Sequence, residues 1–306
     1  MRKVLLTLFA MLVFSTTFAK SKKNAFPSEV HVFLIGFDGW GSYCVPKAEM
    51  PVLRQMMKQG CWTLKKRSVL PSKSAPNWAS IFMGASPEVH GYTRNNREAE
   101  IPPVVVTENH AFPSISQLLR KQKVDVEIGL FYQWGGVKYF ADTLSVNHVA
   151  YLPAGKRKDW SKRINNSACN YIKKKKPTFC TILYSYPDYF GHTKGFDSYE
   201  YYESLKVLDK SLDDIIQAVK DAGIFDKSVF IVTSDHGGIE KNHGGNTLKE
   251  METPFVIFGY NIKKEYEIKD SMMQYDIAAT IAYIFGLETP QAWIGRPVLS
   301  VFEKLR

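Results

Sequence analysis

Val30-His31-Val32-Phe33-Leu34-Ile35-Gly36-Phe37-Asp38 decides how the rest of the chain is read. The run is apolar at almost every position rather than at alternate ones. A strand built from it must be covered on both faces, as the strands of a parallel sheet are. It then stops at an acid. The pattern recurs at residues 178–184 and 229–233, short runs rich in β-branched and aromatic residues that are followed by Asp188 and Asp235. Further strands are expected at 62–69, 124–131 and 255–258. Helical patterns occupy 51–59, ending at Gly60, then 76–83, 114–121, 160–174, 201–220 and 275–285. In the longest of these, Leu205, Leu208, Leu212, Ile215, Ile216 and Val219 form one apolar stripe. Alternation of this kind predicts an α/β fold with a mostly parallel central sheet and helices on both faces. Residues 95–112 and 135–159 are irregular, with prolines and aromatics, and are expected to form a small cap.

The chain has 306 residues, 45% hydrophobic and 13% aromatic, enough to fill one large core. Charged residues at 23%, with 20 Gly and 15 Pro, exclude a disordered, collagenous or coiled-coil protein. No internal run approaches the ~18–20 apolar residues of a membrane span. Arg2 and Lys3, the apolar residues 4–14 and Thr17-Phe18-Ala19 have the layout of a secretory signal peptide cut after Ala19. The expected product is a secreted or periplasmic protein of residues 20–306, forming one domain without a transmembrane span. Cleavage removes two basic residues and no acid, leaving a net charge of +8. That balance suits a small anionic substrate. The run Lys173-Lys174-Lys175-Lys176 reads as a solvated helix end rather than part of a nucleic-acid-binding module. Cys44, Cys61, Cys169 and Cys180 allow three disulfide pairings, and the sequence does not choose among them.

In open α/β sheets, chemistry collects at the carboxyl ends of strands. Asp38, Asp188 and Asp235 all lie there, and histidines accompany two of them: His192 four residues after Asp188, His236 directly after Asp235, and His243 seven residues further on. Imidazole and carboxylate groups in this number are the ligand chemistry of Zn²⁺, with Mn²⁺ as competitor, and point to a two-metal site. Gly237-Gly238 is expected to give the backbone freedom that turns Asp235 and His236 the same way. Ser74, two residues before Pro76, is either a helix N-cap or a hydroxyl placed where an alkoxide is stabilised. Ser72 is expected to be dispensable.

Phe37-Asp38-Gly39, Pro71-Ser72-Lys73-Ser74-Ala75-Pro76-Asn77, Ser86-Pro87-Glu88-Val89-His90-Gly91, Pro187-Asp188-x-x-Gly191-His192 and Ser234-Asp235-His236-Gly237 together resemble the ordered motifs of the alkaline phosphatase superfamily. The nearest branch is the type I phosphodiesterases and nucleotide pyrophosphatases, and the similarity runs from about residue 30 to 297. The resemblance implies two zinc ions. One is held by Asp38, Asp235, His236 and the oxygen of a nucleophile that falls on Ser74. The other is held by Asp188, His192 and a third histidine. That branch has its third histidine far downstream, but no histidine follows His243 here, so His243 takes the place. The asparagine that donates to a phosphate oxygen maps to Asn95, and His90 to a structural turn. An aromatic often follows the nucleophile in that branch. Here Ala75 does, leaving Trp40, Trp78 and Tyr189 as aromatics to contact substrate. The arginine that sulfatases need is replaced by Trp78. The implied activity is hydrolysis of a phosphodiester or pyrophosphate through a phospho-Ser74 intermediate. The alternatives are a phosphomonoesterase or phosphonate hydrolase, with Arg94 or Lys73 as the extra cation, and a non-catalytic secreted metal- or phosphoglycan-binding protein.

Overall fold

The computed structural model describes residues 25–95, 98–154 and 159–305, so the expected signal peptide lies outside the described residues. In chain order the elements begin with β1 (His31–Phe37), α1 (Pro51–Lys58), β2 (Gly60–Arg67), α2 (Ser74–Met83), α3 (Pro87–His90) and α4 (Ile115–Gln122). Then follow β3 (Ile128–Tyr132), β4 (His148–Tyr151), α5 (Trp160–Lys175), β5 (Phe179–Tyr184), α6 (Asp188–Lys194) and α7 (Tyr199–Asp221). The chain closes with β6 (Ser228–Thr233), α8 (Leu248–Met251), β7 (Glu252–Gly259), β8 (Tyr266–Glu267) and α9 (Asp276–Phe285).

One sheet takes these strands in the order β4-β3-β5-β1-β6-β7-β2-β8. Only β7 runs against its neighbours β6 and β2; the other pairs are parallel. The apolar run of β1 has the reason expected of it. Val32 and Leu34 pack with side chains of α2, α4 and α9, and Phe33, Ile35 and Phe37 pack with those of α1, α5 and α7 on the opposite face. Each such buried side chain is worth about 1.5–3 kcal/mol of transfer free energy. This double cover makes β1 the rigid centre of the sheet, with β5 and β6 on either side.

Three local expectations need correction. Residues 135–159 are not simply an irregular cap: they hold β4, which pairs in parallel with β3 from Gly129↔His148 to Tyr132↔Tyr151. Its side chains are mostly exposed at the sheet edge, so no buried apolar run marks it. β3 begins at Ile128 rather than 124, because Val124 is exposed and Asp125 turns through a positive φ of 57°. α6, starting on Asp188 itself, was not anticipated. The four cysteines are all free, and Cys44, Cys61 and Cys180 are buried. Among the described residues no helix is long and apolar enough to cross a membrane.

Candidate metal centre

The chain leaves β5, β1 and β6 at the same sheet edge, and that adjacency gathers the acids. The Asp188 N–H donates to the Asp38 carbonyl at 2.9 Å, and the Gly39 N–H donates to Asp235 Oδ1 at 3.0 Å. Gly39 has φ 72°, and a Cβ there would lie 2.7 Å from Asp188 Cβ, so the crossing of the two acid-bearing turns requires glycine. Gly237 and Gly238 serve differently from expectation. Neither has a positive φ. Instead a Cβ would meet the Lys249 carbonyl oxygen at 2.0 Å on Gly237 and the Phe196 ring at 2.4 Å on Gly238.

Each histidine of the site is tied at Nδ1 to a backbone carbonyl: His192 to Lys241 at 2.9 Å, His236 to Gly237 at 2.8 Å and His243 to Ser72 at 2.9 Å. A carbonyl only accepts, so the proton of each neutral ring sits on Nδ1 and each Nε2 presents a lone pair. Those lone pairs converge. His243 Nε2 is 3.2 Å from His192 Nε2 and 3.8 Å from Asp188 Oδ1, and His192 Nε2 is 3.4 Å from Asp188 Oδ2. His236 Nε2 is 3.2 Å from Asp235 Oδ2 and 3.5 Å from Asp38 Oδ1. Acceptors facing acceptors at these distances repel one another unless a cation lies between them.

Two of these oxygens, Asp188 Oδ1 and Asp235 Oδ2, are buried with no hydrogen-bond partner. Burial, then the neighbouring carboxylates, pushes Asp38 and Asp188 well above the usual acid range, and burial pushes Asp235 up to about 7. Burial depresses His236 to about 3 and His243 to about 2. Such a cluster of crowded acids and neutral imidazoles fits divalent metal ions. Ligand atoms of Asp188, His192 and His243 lie within 4.8 Å of one another, as do those of Asp38, Asp188 and His236. Tying Nδ1 to a carbonyl is also how metal-binding histidines are held in orientation.

Ser74 is the first residue of α2, and its side chain makes no cap hydrogen bond; Lys73 is the N-cap residue. Ser74 Oγ lies 3.1 Å from His236 Nε2 and 3.5 Å from Asp38 Oδ1. The capping is done from elsewhere. Asn95 Oδ1 accepts from the Ala75 N–H at 2.8 Å, which fixes the amide orientation and leaves its NH₂ for another acceptor. His90 is buried, with Nε2 3.0 Å from Ser80 Oγ and Nδ1 accepting from the Tyr92 N–H at 3.1 Å, a turn residue as expected. Arg94 is exposed.

Trp78 is not a substrate contact. It is only 1% exposed, and its indole N–H donates to Asp38 Oδ2 at 3.3 Å, so it supports a ligand from beneath. Trp40 is also fully buried. Tyr189 packs with Tyr186 and Phe190. Ser72 is tied to the loop of His243: its backbone carbonyl orients His243, while its hydroxyl donates to the Gly245 carbonyl at 2.6 Å and accepts from the Gly244 N–H at 3.1 Å.

An aromatic surface that the sequence did not mark lies next to Asn95. A cavity of about 350 Å³ is lined by Asn95, Tyr132, Trp134, Lys138, Tyr139 and Tyr151, together with Gly135 and Gly136. The Tyr132 and Tyr151 rings stack at 5.3 Å. Sequence carried the aromatics of residues 132–151 but no sign that a β3–β4 pair aligns them. Asn95 belongs to both places, capping the helix of Ser74 and lining this cavity.

The family model for type I phosphodiesterase / nucleotide pyrophosphatase matches residues 32–255. The bis(5'-adenosyl)-triphosphatase ENPP4 of Homo sapiens is 25% identical over 250 residues, which cover 78% of this chain and 53% of that protein. The chain therefore spans about half the length of the curated relatives it matches. Human ectonucleotide pyrophosphatase / phosphodiesterase 5 has the same fold, with a TM-score of 0.73 and 16% identity over 90% of this chain and 100% of that one. The murine counterpart in complex with AMP gives 0.70 at 16% identity, covering 85% and 96%. The family match runs from the second residue of β1 into the middle of β7 and takes in every strand that delivers an acid to the site, so the chain belongs to the type I phosphodiesterase / nucleotide pyrophosphatase family.

Proposed function

We propose that this chain is an exported two-metal hydrolase of phosphodiester or pyrophosphate bonds, with Ser74 as nucleophile and a phospho-Ser74 intermediate. The observation that carries the reading is the convergence of three Nε2 lone pairs, three carboxylates and one hydroxyl at a single sheet edge. Asp38, Asp235, His236 and Ser74 would hold one zinc ion and Asp188, His192 and His243 the other, with Mn²⁺ as the competing ion. Two bound ions would supply the charge neutralisation and the lowered hydroxyl pKa that phosphoryl transfer needs.

The chain's own groups do the rest. Ser74 Oγ, fixed on the first turn of α2, gives up its proton and attacks phosphorus. The bond from phosphorus to the leaving oxygen breaks in line, and that oxygen takes up a proton. Water then cleaves the ester on Ser74, returning the proton to Oγ. Asn95 offers its free NH₂ to a phosphoryl oxygen, a neutral donor that suits the single charge of a diester. The aromatic cavity that Asn95 also lines is suited to a nucleobase, in keeping with the adenosyl substrate in the name of the ENPP4 relative and the AMP held by the murine structure. The apolar N-terminal run supports export to the periplasm or medium, with residues 20–306 as the catalytic unit.

Turnover of bis(4-nitrophenyl) phosphate and 4-nitrophenyl phosphate by the zinc-loaded protein tests the assignment. The diester is expected to have the higher kcat/KM. A monoester preference would transfer the site to phosphomonoesterase or phosphonate chemistry. No turnover of either would favour a metal- or phosphoglycan-binding protein.

A further inference from the structure

Lys66 is fully buried in β2, beneath the turn that carries Asp235 and His236. Its ammonium donates to the Ser234 carbonyl at 2.9 Å and to Gln274 Oε1. The Gln274 amide donates in turn to the Ser234 carbonyl at 3.1 Å and to the Asp235 carbonyl. Ser68 Oγ adds a hydrogen bond to the Asp235 carbonyl at 2.7 Å. The two successive carbonyls before His236 are thus held by a buried ammonium, an amide and a hydroxyl, all fully enclosed.

Strand geometry brings the lysine there. Between Thr63 and Lys66 the register of β2 against β7 shifts, three residues advancing on β2 while two advance on β7. The irregularity breaks the alternation, so that Thr63 and then Lys66, rather than Lys65, face the interior. A methionine would fill the same space without desolvating a charge. Packing therefore does not account for the lysine, whereas its hydrogen bonds to this turn do. Among the described residues no carboxylate is hydrogen-bonded to it; the acids that act on its charge are Asp235 and Asp276.

We propose that Lys66 and Gln274 are positioning residues for the Asp235/His236 half of the metal centre, holding the two carbonyls that set the turn from which both ligands project. The inference rests on the metal-centre reading above. Zinc affinities of the two sites, measured by competition with a chromogenic chelator, test it on the full chain and on Lys66→Met and Gln274→Glu. Gln274→Glu keeps shape and a partner for Lys66 but cannot donate to the two carbonyls, so it carries the test if Lys66→Met does not fold. One of the two ions is expected to bind about 10- to 100-fold more weakly and the other unchanged. In a His243→Ala background, where the remaining ion is the Asp235/His236 one, the same weakening is expected. Diester turnover should fall at limiting zinc and recover at excess, with KM unchanged. Wild-type affinities in both variants, or equal weakening at both sites, would overturn the proposal. A wild-type chain that binds fewer than two zinc ions would instead sink the metal-centre reading on which it stands.

Discussion

Ser74 is the first residue of α2 rather than its N-cap, and the Ala75 N–H that an N-cap side chain at Lys73 would hold donates to Asn95 instead, so the Ser74 hydroxyl has no capping role and is free for chemistry. Ser74→Ala should therefore leave melting temperature and zinc content close to wild type and lower diester kcat at least about a hundredfold. Stopped assays and elemental analysis on one preparation separate the two effects. Near-normal turnover would remove Ser74 from the mechanism. His243 is the other residue on which the site turns, because its Nε2 faces both His192 and Asp188. His243→Ala should lose one zinc ion of two, and full retention would move the third ligand elsewhere. Both residues stand out in the sequence because each sits in a short motif whose residue types suit metal-assisted chemistry. Trp78 differs, because the structure buries it beneath Asp38 rather than leaving it to contact substrate. Whether an indole faces substrate or a ligand's far oxygen, and whether a serine faces solvent or a histidine loop, depends on packing that no local pattern encodes.

At the scale of elements, β1, β5 and β6 were readable to within a residue or so, since strands covered on both faces announce themselves as unbroken apolar runs. β4 was missed because it is a four-residue edge strand whose side chains are mostly exposed, too short to set up a periodic pattern. The omission concealed the aromatic cavity beside Asn95, since it is the β3–β4 register that stacks Tyr151 on Tyr132. Lys66 was concealed in the same way by the register shift in β2. A nucleobase stacked in the cavity should be worth about 1–3 kcal/mol, so Tyr151→Ala should raise KM for a nucleotide diester by about 5- to 150-fold. Its kcat, and hydrolysis of a diester with two methyl groups, should change little. An equal loss for both substrates would show that the tyrosine supports the fold and not the base.

For the whole molecule, the decisive property is that strands far apart in sequence are neighbours in the sheet. β1, β5 and β6 lie side by side although nearly two hundred residues separate the first from the last, and the acids that end them meet without any loop reaching far. The family's order of motifs follows from that topology, which is why it could be read along the chain before the fold was known. Zinc titrated into metal-depleted protein, with bis(4-nitrophenyl) phosphate turnover followed at each addition, tests the two-metal account most directly. Activity should rise from near zero and reach its plateau at two equivalents per chain. A plateau at one equivalent, or turnover that persists without metal, would contradict it.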